Sequence, residues 1–235
     1  MLETGSNSQS YKQSIRIATD GLSFYSHGVV RHIAFDRHDS FFRRAVSYCL
    51  CEPDIADADK IEITFCSPWA CAIPNDIFDE TQAAKILKFH YPETASMATC
   101  RQQSEYGFSI VYALPVECKE LIDKNFPNAQ IHHCDLKRIE QAIATSKITD
   151  SDYIRIYTEN GRTCIIAASQ GQLQLCNRYE TPQPADTLYY VADICEQLHW
   201  SQRTTIVAYD SDCQAASLLQ ERFTRCETFN LSICE

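Results

Sequence analysis

The hydrophobic pattern of the chain changes period several times, and the changes recur in the same order. Residues 14–36 read SIRIATDGLSFYSHGVVRHIAFD and predict three short strands. SIRIAT is rich in β-branched residues, LSFYS places Leu22, Phe24 and Ser26 on one face, and VVRHIAF follows. Asp20-Gly21 predicts a type I′ hairpin turn, which needs positive φ at both positions, and His27-Gly28 marks the next turn. A helix is predicted next: Asp39 or Ser40 can cap it, and Phe41, Phe42, Ala45, Val46 and Cys49 fall at helical spacing before Pro53. KIEITFC, residues 60–66, is a fourth strand.

Residues 67–104 are less regular, with a short strand in WACAIP and a helix in DIFDETQAAKILKFHYP that ends before Pro92. GFSIVYALP is a strand, residues 116–126 a helix, and AQIHHC a short strand. Asp135 then caps a helix with Leu136, Ile139 and Ile143 on one face. Asp152 restarts the opening pattern: YIRIYT, the turn Asn160-Gly161, TCIIAAS, the turn Gln170-Gly171, and QLQLCNRY. Pro182 and Pro184 lead into a helix with Leu188, Val191, Cys195 and Leu198 inside. TTIVAY, a helix capped by Asp212 and carrying Ala215, Leu218, Leu219 and Phe223, and the strand CETFNLSI close the chain.

Both halves therefore read as a three-strand meander followed by alternating helices and strands. The two Ile-Arg-Ile motifs start at Ile15 and Ile154, an offset of 154 − 15 = 139 residues. Of six glycines, Gly21, Gly28, Gly161 and Gly171 occupy the four meander turns. A meander pairs antiparallel, and helical crossovers bring strands parallel. The pattern predicts an α/β fold of two ribonuclease-H-like domains, each a β-β-β-α-β-α-β unit, in the actin-like ATPase architecture. The first domain is expected over 12–148, with an insertion near 67–104, and the second over 149–235. The alternative is two unrelated α/β halves that share common hairpins.

Four stretches, TDGLSFYS (19–26), FPNAQIHH (126–133), GQLQLCNRYET (171–181) and DTLYYVADICEQL (186–198), resemble an uncharacterised bacterial family, chiefly from Bacteroidetes. The resemblance spans residues 12–232 and implies an actin-like ATPase fold with no established activity. The layout is also similar, at the level of fold, to the pilus-assembly protein PilM, an actin-like partner of envelope machinery.

Composition narrows the function classes. A net charge of −10 over 235 residues argues against a nucleic-acid partner, which needs a basic face. No window approaches a membrane span, and the polar start MLETGSNSQSYKQS lacks the apolar core of a signal peptide. The 13 cysteines are odd in number and contain no C-x-x-C. They are expected to pack as free, small hydrophobes in a cytoplasmic protein, in preference to disulfide, metal or redox roles.

Actin-like ATPases hold phosphates on the two hairpin turns, each with an acid, a glycine and a hydroxyl residue. The candidate nucleotide-binding residues, if any nucleotide binds, are Asp20 and Ser23 on the first turn and Glu159 and Thr163 on the second. Asp20 and Gly21 are adjacent where the ATPases place one residue between them, and Glu159 is expected in the turn itself, beyond the strand end. No glycine follows Gly171, although backbone approaching an adenosine favours one. His132 and His133 sit on a strand end and point to opposite faces, which disfavours a shared metal and leaves Asp135 as a helix cap. Asp54, Asp57 and Asp59 form a solvated loop without the glycine of a calcium loop. Tyr189, Tyr190 and Trp200 read as core or rim. The expected role is non-catalytic binding or scaffolding with an unknown protein partner and no cofactor. The alternative is a divergent ATPase or small-molecule kinase that uses the interdomain cleft and ATP with magnesium. A third possibility is a redox or metal protein that uses the cysteines.

Overall fold

The computed structural model describes residues 12–18, 21–26, 29–34, 47–49, 51, 60–159 and 161–229. The first meander is β1 (Lys12–Ala18), β2 (Gly21–Ser26) and β3 (Val29–Ala34), followed by β4 (Lys60–Cys66). Then come β5 (Ala70–Pro74), α1 (Ala83–His90), β6 (Met97–Gln103), β7 (Phe108–Pro115), α2 (Val116–Asn125), β8 (Gln130–His133) and α3 (Cys134–Thr149). The second meander is β9 (Tyr153–Glu159), β10 (Arg162–Ser169) and β11 (Gln172–Glu180). It continues through α4 (Pro184–Gln197), β12 (Ile206–Asp210), α5 (Ala216–Arg222) and β13 (Arg225–Phe229).

Two five-stranded sheets share one topology: β3-β2-β1-β4-β8 and β11-β10-β9-β12-β13. In each the meander is antiparallel and the later strands pair parallel. Ile17 stands opposite Phe65, and Ile156 opposite Tyr209, in each case the penultimate residue of the parallel neighbour. The Ile-Arg-Ile motifs thus keep their 139-residue offset in space. The connections past them differ. Ala18 pairs with Gly21, but Glu159 pairs with Arg162, so the second hairpin runs two residues further.

Alternation on β9 explains its sequence. Ile154 and Ile156 pack with Val191, Cys195 and Leu219 of α4 and α5, while Tyr153 and Tyr157 join the cluster that contains Ile139, Ala142 and Ile143 of α3. That cluster also holds Ile15, Ile63 and Phe65 of the first sheet, so α3 is packed between the two sheets. A third sheet, β5-β7-β6, is antiparallel throughout. Its central strand β7 is apolar on both faces: Ile110, Tyr112 and Leu114 join the main core, and Val111 and Ala113 pack under Leu87 of α1. Gln102 of β6 closes the outer edge of β8. Its amide accepts from the His133 N–H at 2.6 Å and donates to the Ile131 carbonyl at 2.9 Å.

Several expectations need correction. The helix expected over DIFDETQAAKILKFHYP is shorter, because Asp79 caps a 3-10 turn over Glu80–Gln82 and α1 starts only at Ala83. Residues 97–103, unassigned from the pattern, form β6. Gly21 is not a positive-φ turn residue but the first residue of β2, paired with Ala18 and Ala34. It is required for space, since a Cβ there would lie 2.3 Å from the Ile33 carbonyl oxygen. Asp212 does not cap α5. Its N–H donates to Asp210 Oδ1, and two turns, Cys213 to Asp210 and Ala216 to Cys213, intervene before the helix. The expected turn at Gln170-Gly171 is present, and its positive φ of 51° and 75° at both positions is that of a type I′ turn.

All twelve described cysteines are free, and seven are buried, as small hydrophobes would be. Among the described residues no helix is long and apolar enough to cross a membrane. The expected turn residues Asp20, His27 and Gly28, the start of the helix after Asp39, the acidic loop at 54–59, the N-terminal tail and the chain after 229 lie outside the described residues.

Gly21→Ala should cost about 2 kcal/mol or more, because the clash is with backbone that cannot rotate away. The midpoint of urea unfolding measures it, and an unchanged midpoint would contradict the packing described.

Candidate functional site

The polar groups buried between the sheets gather at the N-terminus of α3. β8 ends in His133 and α3 begins at once, so His133 occupies the N-cap position with extended backbone (φ −93°, ψ 136°). Its Nδ1 accepts from the Asp135 N–H at 3.2 Å. The proton must therefore sit on Nε2, which donates to the Ser67 carbonyl at 3.1 Å. The cap is thus His133 and not Asp135. An imidazole two residues earlier reaches the backbone N–H, and the Asp135 carboxylate is turned elsewhere.

Asp135, only 2% exposed, accepts a short hydrogen bond from Arg178 Nη2 of β11 and lies 3.7 Å from Arg138 Nη1 on its own helix. Arg138 is buried as well, and its guanidinium lies over the Tyr157 ring at 4.1 Å. Burial by itself would raise the Asp135 carboxyl, but Arg178, His133 and Arg138 outweigh it and hold the group down at about 2. Burial lowers His133 to about 4, with Asp135 opposing it. One buried polar atom here, Arg138 Nε, has no hydrogen-bond partner. Nearby, Asp210 at the end of β12 accepts from the Thr158 N–H at 2.7 Å and the Asp212 N–H at 3.1 Å, and burial raises its carboxyl.

His133, Cys134 and Asp135 present ligand atoms within 4.8 Å of one another. The set does not suit a cation. Both imidazole nitrogens are in use, and two guanidiniums already neutralise the carboxylate. His132, on the opposite face, bonds Gln102 through Nδ1 at 2.7 Å. In the β10–β11 ladder Cys164 stands opposite Arg178, and a hydrogen bond from the Cys176 thiol lowers the Cys164 thiol.

The residues expected on the hairpin turns lie on the strands that flank them. Ser23, in β2, is 5% exposed and its hydroxyl is 2.9 Å from His32 Nδ1 of β3. Thr163, in β10, is fully buried, with its hydroxyl 2.6 Å from that of Thr181 and 3.1 Å from that of Thr187. Glu159 is the last residue of β9, in the strand and not in the turn. Asp20 lies outside the described residues. The Asp135–Arg178–Arg138 centre had no signal in the sequence beyond a charged residue inside an apolar period at each position.

These features define an α/β protein of the actin-like ATPase fold, with a charged centre buried between two similar sheets. The chain belongs to the family described as "Protein of unknown function (DUF3822)", which matches residues 3–224. It is similar to a solved structure from Bacteroides thetaiotaomicron VPI-5482, described as a protein with actin-like ATPase fold and unknown function. The two share 19% identity over 97% of this chain and 94% of the other, with a TM-score of 0.83, which shows the fold. Fainter likenesses reach the PilM–PilN type IV pilus biogenesis complex (8% identity, 93% and 88% of the chains, TM-score 0.49). Another reaches the cytoplasmic domain of EpsL, an inner-membrane component of the type II secretion system of Vibrio cholerae (9% identity, 94% and 90%, TM-score 0.46). At those scores they carry no argument. No curated protein matches the chain.

Two measurements check the buried centre. Arg178→Met leaves Asp135 charged and short of its main partner, so it should cost about 3 kcal/mol or more in urea unfolding, whereas Arg178→Met combined with Asp135→Leu should recover much of the loss. The second is pH. Unfolded His133 takes up a proton as pH falls through its ordinary value of 6.5, while the folded ring stays neutral down to about 4. Stability is therefore full above pH 6.5 and falls by roughly 3 kcal/mol on the way to pH 4. Asp135 takes over below its ordinary 3.8, where stability falls again toward pH 2. Replacing His133 by Gln should flatten the upper of these two windows.

Proposed function

We propose that this protein binds or scaffolds a protein partner in the cytoplasm and does not hydrolyse ATP. The observation that carries the reading is Thr163. The hydroxyl expected at the second phosphate turn is buried and spent on Thr181 and Thr187, where it ties β10 to the start of α4. Ser23 at the first turn is likewise spent on His32. The absence of any glycine after Gly171 agrees with this reading, because a Cβ holds backbone away from an adenosine. The free thiols favour a reducing compartment.

A second reading has its own support. Arg138 Nε is a buried polar atom without a partner, close to Asp210, and a bound anion or water would satisfy it. On that reading the protein is a divergent ATPase or small-molecule kinase. Asp20 and Glu159 would then hold magnesium, with Ser23 and Thr163 near the phosphates.

Thermal unfolding with and without Mg²⁺-ATP separates the two. A ligand at ~100 times its dissociation constant adds about 2.7 kcal/mol, a shift easily measured. No shift and no phosphate release are expected. ATP turnover that is lost in Asp20→Ala would overturn the binding reading.

A further inference from the structure

A surface groove lies away from the buried centre, between α4 and the 198–205 segment that leads into β12. Its volume is about 560 Å³, within the range of ligand clefts. Tyr189, Asp193 and Glu196 form one wall from successive turns of α4. Trp200 and Arg203 of the loop and Arg222, the last residue of α5, form the other. The acids of the lining come from α4 and its arginines from the loop and α5. Among the described residues no ion pair spans the gap. Asp193 accepts only from Gln197 on its own helix, at 2.7 Å.

The backbone that places Trp200 is strained. The Trp200 N–H bonds the Cys195 carbonyl at 2.8 Å and the His199 N–H bonds that of Glu196 at 3.1 Å, which is a Schellman ending to α4. Its left-handed position, normally glycine, is filled by His199 at φ 58°. The turn swings a half-buried indole into the groove. Tyr189, 64% exposed, stands at the mouth and contacts Tyr190 edge-on, and Tyr190 stacks on Tyr179 of β11. A strained turn, two aromatic rings in the lining and unpaired charges of both signs on separate elements are features of a site preorganised for a ligand.

We propose that this groove docks a short peptide segment of a partner protein. An aromatic or aliphatic side chain lies against Trp200 and Tyr189, a basic residue faces Asp193 and Glu196, and an acidic residue faces Arg203 and Arg222. The proposal gives the binding role a surface and rests on that reading, but it does not depend on whether the hairpin turns hold nucleotide.

The chain has two tryptophans, so Trp69→Phe leaves Trp200 as the sole indole reporter. The probes are the synthetic peptides acetyl-Lys-Phe-Glu-amide, its uncharged analogue acetyl-Gln-Phe-Gln-amide, and acetyl-Lys-Phe-Lys-amide. The first should change Trp200 fluorescence saturably, and the uncharged peptide should bind about tenfold more weakly. The double variant Arg203→Glu with Arg222→Glu alters exposed positions only. It should lose the first peptide by about tenfold and gain the all-basic one, an exchange that a merely structural role would not produce. No fluorescence change up to about 10 mM, or equal response to charged and uncharged peptides, overturns the proposal. That failure without ATP turnover removes the groove and leaves the binding reading standing. ATP turnover alongside peptide binding removes the binding-only reading and leaves the groove.

Discussion

Asp135 and Arg178 are the contact on which the arrangement of the two sheets depends. Apolar packing is non-directional, and the Ile139, Ala142 and Ile143 stripe of α3 would tolerate rotation or sliding between the sheets. A carboxylate that is 2% exposed would not, because away from a guanidinium its burial costs several kcal/mol. The pair joins the first turn of α3 to the far edge strand of the second sheet, so it sets the register of the helix against both. Arg138 and His133 follow from it. The one fills the space over Tyr157, and the other is held neutral with its tautomer fixed by the cap it forms. The centre is therefore both an organiser of the fold and the place where acid enters its stability.

The two sheets show what duplication keeps and what it releases. Strand order and the position of the Ile-Arg-Ile motif are kept, because the isoleucines must face packed helices and the parallel neighbours fix their height. The hairpin ends differ. The second runs two residues further, with Glu159 as its last strand residue, while the hydroxyls of Ser23 and Thr163 are buried against His32 and against Thr181. Cores constrain the strands through volume, whereas hairpin tips are bound only by whatever they hold. The groove beside α4 lies on the outer surface of the second sheet's helices, where side chains are free of both constraints and where a strained turn has been accepted.

Much of the fold was legible in the sequence because its signals are local. Strand alternation, the continuous apolar run of β7, Gln170-Gly171 and the repeated Ile-Arg-Ile each depend on a few adjacent residues whose backbone preferences are strong. β6 escaped because MATCRQQ neither alternates clearly nor carries branched residues in series, and it is a strand only because β7 offers it an edge. The caps expected at Asp135 and Asp212 were misplaced because a cap is defined by where the preceding strand ends, and that is decided by neighbours in the sheet.

The sequence by itself determined the class of fold, the repeat and the antiparallel meander with parallel crossovers in each unit, since these follow from period, turn chemistry and the handedness of crossovers. Only the tertiary structure decided which charged residues would be buried together. Asp135 and Arg178 are 43 residues apart, and Thr163 meets Thr187 across 24. Nothing local distinguishes an arginine that will pair in the core from one that will stay in water. That distinction comes from the dielectric of the site and the presence of a partner, and both exist only once the chain has closed around them.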